Sequence, residues 1–128
     1  MKLLPAVLLA TVSLLGLAGC SSVPLDEEGD TQAVYQLREF KMVVNSTAPV
    51  AAAATQKAFK DLDLFETKVV LNTYDAELSA RSREDQKVHV SIAEINSRQT
   101  MLKIRWGGLG DKVNSQTLYQ HIERNLGR

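Results

Sequence analysis

Few residues in this 128-residue chain have the types and spacing that chemistry demands. Cys20 is the one cysteine. A lone cysteine can act as a nucleophile, a metal ligand or a modification site, but it cannot close a disulfide within the chain. His89 and His121 are the two histidines. With no other cysteine available, a zinc site would have to gather both histidines with carboxylates. Two surface histidines are the plainer reading, and no metal or other cofactor is expected. A serine–histidine–acid set can be picked from almost any such sequence. No Gly-x-Ser-x-Gly elbow supports one here, so the chain is not expected to be an enzyme. Residues 105–112 read RWGGLGDK. Three glycines before a helix start can aim backbone N–H groups at a phosphate or carboxylate. Arg105, Gly107, Gly108, Gly110 and Lys112 therefore form a candidate small-anion site. Against it, the Gly-Lys-Ser/Thr of a phosphate loop is absent. Asp111 also stands where a helix N-cap is expected, and its carboxylate would repel an anion. The expectation is a structural strand-to-helix turn.

The surroundings of Cys20 decide its chemistry. The chain opens MKLLPAVLLATVSLLGLAGC, with Lys2 before an uncharged run from Leu3 to Ala18. That run suits a signal-peptide core and is short for a spanning helix, which needs about 20 apolar residues. Leu17-Ala18-Gly19-Cys20 resembles the lipobox of bacterial lipoproteins. The resemblance implies that Cys20 receives a diacylglyceryl group, that cleavage falls between Gly19 and Cys20, and that the new amino terminus is acylated. Palmitate or a similar chain is then expected on the mature protein, and two or more acyl chains anchor stably. By resemblance to enterobacterial sorting rules, Ser21 after the cysteine implies the outer membrane, with the domain facing the periplasm.

Residues 1–19 are thus expected to be removed, leaving 109 residues, enough for one domain and too few for two. Residues 20–30 read as the lipidated cysteine and a flexible acidic tether, with Asp26, Glu27, Glu28 and Asp30 beside Pro24 and Gly29. Residues 31–128 form the domain. They hold 14 Lys/Arg against 11 Asp/Glu, a net charge of +3. That mild excess lacks the clustered basic face of a nucleic-acid binder.

The elements that must position these residues follow from periodicity. Val34–Asn45 alternates Phe40, Met42 and Val44 against Glu39, Lys41 and Val43, as in one half-buried strand. Pro49 fits the first turn of a helix, with Ser46 or Thr47 as its cap. Val50, Ala54, Ala58 and Leu62 then give an apolar stripe at i, i+4. Asp63 is placed to end the helix with a left-handed backbone. ETKVVLN, AELSARS, QKVHVSIAEI and TMLKIRW read as four strands of an antiparallel meander with one apolar face. Trp106, in phase with Leu102 and Ile104, belongs to the core. A closing helix is capped by Asp111, carries Leu118, Ile122 and Leu126 as its stripe, and ends at Gly127. The fold class is α+β, in the order β-α-β-β-β-β-α, an antiparallel sheet with two helices packed on one face.

ATQKAFKDLDL, QKVHVSI, TMLKIRWGGLGD, Ser115 and LYQHIERNL together resemble a family of small bacterial proteins, many of them lipoproteins, described as domain of unknown function 3568. The resemblance covers about Tyr35–Leu126 and implies the fold and the location, but no activity. Glycines common in that family after the first helix and in the third hairpin are replaced here by Asp63 and within REDQ.

Arg81, Arg83, His89, Lys103 and Arg105 share the polar phase of the strands. If the helices cover only the other face, these residues form an exposed, mildly basic surface that could meet a partner. The expected function is a lipid-anchored envelope protein, non-enzymatic, whose domain binds another envelope component or itself. The alternative is a small-anion or lipid-binding module using the Gly107–Asp111 turn or a pocket between helices and sheet.

Overall fold

The computed structural model describes residues 21–24 and 32–127. Along the chain the elements are β1 (Ser21–Pro24), β2 (Gln32–Gln36), β3 (Glu39–Val44), α1 (Ala48–Asp61), β4 (Phe65–Leu71), β5 (Asp75–Arg81), β6 (Lys87–Asn96), β7 (Gln99–Trp106) and α2 (Lys112–Asn125). The strands form one antiparallel sheet in the spatial order β1-β2-β3-β7-β6-β5-β4. Both helices cover the same face, so the α+β class and the one-sided packing are as expected.

The amino-terminal part differs. Val34–Asn45 is a hairpin, not one strand: Gln36 pairs with Glu39 around a two-residue turn. Leu37 and Arg38 take φ of 54° and 68°, the left-handed conformations of a type I′ turn. Asn-Gly or Asp-Gly normally supplies these, and Leu-Arg gives no such signal, so alternation appeared to run on. Left-handed backbone costs a residue such as leucine about 1–2 kcal/mol. The expected tether is also revised at its start. Ser21–Pro24 is the edge strand β1, paired from Ser21↔Tyr35 to Pro24↔Gln32. The rest of that segment, residues 25–30, and the signal-peptide and lipobox residues 1–20 lie outside the described residues.

The core lies between the sheet and the helices. Phe40, Leu78, Val88, Val90, Ile92, Leu102 and Ile104 point into it from neighbouring strands. Alternation places them there because successive side chains leave opposite faces of a strand. The α1 stripe sits about a quarter-turn from the expected one. Ala48, Ala51, Ala52, Ala54, Thr55, Ala58 and Phe59 are buried, whereas Val50 is exposed. Alanine satisfies either face, so periodicity could not choose between them. The buried alanines let the helix backbone approach the sheet closely. On α2, Leu118, Tyr119 and Ile122 are buried with Ser115, and Leu126 packs against their edge.

Caps hold both helices. Neither Ser46 nor Thr47 caps α1 through its side chain. Glu94 reaches over from β6 and its Oε1 accepts from Ala48 N at 2.9 Å. A carboxylate there also complements the helix dipole. At the other end Leu64 N donates to Phe59 O at 2.8 Å and Asp63 N to Lys60 O at 3.1 Å, a Schellman closure. Asp63 has φ 57°, so it takes the left-handed backbone expected of it. Asp85 does the same in the five-residue β5–β6 connection, with φ 63°. At both places aspartate stands in the conformation that glycine adopts at least cost.

Candidate functional site

The open face of the sheet carries the side chains that alternate with the core. Antiparallel register sets Lys41 opposite Lys103, His89 opposite Arg105, and Arg81 opposite Lys87. Two of these cross-strand pairs, Lys41–Lys103 and Arg81–Lys87, are therefore cationic on both sides. Like charges directly opposite each other destabilise a sheet by a few tenths of a kcal/mol, up to about 1 kcal/mol each. Arg81 is relieved by Asp85, 2.9 Å away. Among the described residues, Lys41, Lys87, Lys103 and Arg105 have no acidic partner within 4.0 Å. These four cations stand on strands held in the hydrogen-bonded ladder.

At one end of this face lies a depression of about 430 Å³, lined by Glu39, Lys87, His89, Arg105, Gly107 and Gly108. It joins residues from two sets that the sequence kept apart, the glycine turn and the basic face, with Arg105 common to both. Glu39 and Lys87 were not singled out from the sequence. Lys87 was legible in principle, since hairpin register across REDQ places it opposite Arg81. Glu39 was not, because its position beside Arg105 depends on β3 joining β7 from far along the chain.

Arg83 does not belong to the open face. The chain leaves β5 at Arg81, and the β5–β6 turn carries Arg83 over the end of the sheet to the helix side. There its Nη2 lies 3.2 Å from Oδ2 of Asp63. It also borders a smaller hollow of about 210 Å³ with Leu62, Leu64, Ser82, Glu84, Trp106, Asn114 and Thr117. This hollow lies between the helices and the sheet. Trp106 lines it, and its Nε1 donates to Gln86 Oε1 at 2.9 Å.

The two histidines are not brought together. His121 is on α2, its Nδ1 3.7 Å from Asp61 Oδ2, while His89 is across the sheet. His89 does meet a serine and an acid. Ser79 Oγ and His89 Nδ1 are 3.0 Å apart, and His89 Nε2 is 3.8 Å from Glu77 Oε1. This trio is poorly built for acyl transfer. The acid is beyond hydrogen-bond distance of the ring. Ser79 is buried on β5, which is paired along both edges. Its neighbouring N–H groups serve the ladder and cannot turn toward an oxyanion.

The glycine turn is built around the helix start. Gly107 N donates to Lys87 O at 2.7 Å and Gly110 N to Gly107 O at 3.3 Å. Asp111 caps α2: its Oδ1 accepts from Asn114 N at 2.9 Å and its Oδ2 from Asn114 Nδ2 at 2.8 Å. Lys112 is exposed in the first turn of α2. The cap occupies the terminus an anion would use. Asp111→Ala is expected to lower stability by about 1 kcal/mol, with Asp111→Asn retaining most of it. Urea denaturation checks this, and an unchanged midpoint in the alanine variant would contradict the cap.

The family model described as "Protein of unknown function (DUF3568)" matches residues 2–125. The chain belongs to the DUF3568 family. The match spans nearly the whole chain, including the glycine turn and both helices. No curated protein matches the chain significantly. Within this DUF3568 member, the basic open face and its depression are thus defined by geometry alone.

Proposed function

We propose that this DUF3568 protein is a lipid-anchored component of a bacterial envelope. In this reading Cys20 carries the lipid, the outer membrane holds it, and the domain faces the periplasm. The domain acts as a non-enzymatic binding module whose open sheet face receives an acidic envelope partner. The lipobox-like Leu17–Cys20 supports the anchor. The opposed basic pairs support the partner's chemistry, because Lys41 facing Lys103 is a cost that a bound acidic surface would turn into attraction. The same charge disfavours self-association through this face, since two copies would present like charge to each other.

Photo-cross-linkers placed at positions 81, 89 and 103 in living cells are expected to give one discrete protein adduct. A cross-linker at Gln120, exposed on α2, is expected to give none. Lys41→Glu with Lys103→Glu should abolish the adduct, and a persistent adduct would sink the charge argument. Cys20→Ala should abolish labelled palmitate incorporation; continued uptake would refute the anchor.

The depression supports a second reading, a small anion held by Lys87, His89 and Arg105. Titration with millimolar phosphate would then shift the amide resonances of Gly107–Asp111. Unmoved resonances would end that reading.

A further inference from the structure

We propose that the end of the domain formed by the β2–β3 turn and the glycine turn lies directly against the membrane surface. This rests on the anchoring reading and adds an orientation to it. Ser21 is one peptide bond from Cys20, and Ser21 is already paired with Tyr35, two residues before Leu37. The chain therefore enters β1 beside this turn, one residue after the proposed anchor.

The surface found there suits a bilayer interface. Leu37 is 77 % exposed, Leu109 81 % and Val113 72 %. Arg38 ties the two turns together. Its Nη1 approaches Gly108 O at 3.4 Å, and its Cβ is 2.7 Å from where a Cβ on Gly110 would stand. Gly108 and Gly110 flank Leu109, so Leu37 and Leu109 rise from adjoining turns. Leu37 is costly on two counts, being a leucine with left-handed backbone and an aliphatic side chain in water. Arg38 and Lys112 sit among these residues, without an acidic partner within 4.0 Å among the described residues. Aliphatic side chains among basic ones are the composition that enters the headgroup boundary of anionic lipid. The acids of this end lie mainly toward β5, where Asp63 pairs with Arg83 and Asp85 with Arg81. Glu39 lies toward the depression, and Asp111 is engaged as the helix cap.

A second exposed apolar group, Leu71, Tyr74 and Ile95, lies at the opposite end of the strands and serves as the internal control. Thioether formation consumes the Cys20 sulfur, so an introduced cysteine is the sole free thiol of the mature protein. Leu109→Cys and Leu37→Cys, and separately Tyr74→Cys and Ile95→Cys, would be labelled with bimane in the full lipidated protein. The protein would be reconstituted in phosphatidylethanolamine–phosphatidylglycerol vesicles containing shallow nitroxide lipid. Labels at 37 and 109 are expected to be quenched at least about twofold more than those at 74 and 95, since interfacial residues sit within about 5–10 Å of the acyl boundary. Equal quenching at both ends, or stronger quenching at 74 and 95, overturns the orientation while leaving the anchor intact. Intact mass of the purified protein reads the anchor separately. A mass lacking the acyl additions refutes the anchoring reading, and the orientation falls with it.

Discussion

Phe40→Ala is expected to remove about 3–5 kcal/mol of stability. Phe40 is fully buried and pairs on β3 with both Tyr35 of β2 and Ile104 of β7. Its ring lies 5.5 Å from that of Tyr119 on α2, tilted by 37°. It therefore joins the amino-terminal hairpin, the meander and the closing helix at one point. The cavity left by truncation would border all three, and strands held in register on both sides cannot collapse into it. A domain of this size has about 5–15 kcal/mol in total, so the variant would be marginal at room temperature. Urea denaturation of the full chain reads the loss. Phe40→Leu should cost much less, because most of the volume is retained. A loss below about 1.5 kcal/mol for the alanine variant would show that the site repacks.

Gly110→Val is expected to cost about 3 kcal/mol, by a different route. Gly110 has φ +80°, a backbone that β-branched residues resist strongly. A Cβ there would also overlap the Tyr35 hydroxyl and stand 2.7 Å from Arg38 Cβ and 3.0 Å from Arg38 Cα. The Arg38 backbone would have to move, and with it the β2–β3 turn. Gly108→Ala is the matched control, since nothing lies within 4 Å of its added Cβ. The control should change stability by less than about 0.5 kcal/mol. If the two variants unfold at the same midpoint, the close approach of the two turns is wrong. The Gly110 variant has a second readout, because loosening that contact should raise amide exchange around Leu37 ahead of global unfolding.

The meander and the helices were legible in the sequence because their periods are clean. Val88, Val90 and Ile92 alternate without interruption, and Leu118 and Ile122 repeat at helical spacing. Trp106 was placed in the core by phase alone and is there. Asp63, Asp111 and Gly127 announced helix boundaries because their backbone chemistry is local. What escaped notice depended on tertiary context. Leu37-Arg38 turns the chain without turn residues, and its Arg38 packs against the glycine loop from 70 residues away. Ser21–Pro24 has no alternation of its own, so only pairing with β2 reveals it as a strand. Glu94 caps α1 from 46 residues away, which no local window can see. The same limit applies to the open face. Its residue types were visible, but the opposition of Lys41 to Lys103 exists only once β3 lies beside β7.

That junction also sets the order in which the sheet can assemble. β1 with β2, β2 with β3, and the four strands of the meander each close through short connections. Phe40 and Ile104 meet across more than sixty residues, with α1 and three strands between them. Closing a loop of that length costs more chain entropy than closing the hairpins on either side of it. Until β7 has been made or has emerged, β3 presents an open edge. A chain delivered amino terminus first would hold β3 unpaired on one side until β7 arrived. β7 and α2 thus close the core over β3 together, so the later elements consolidate the earlier ones.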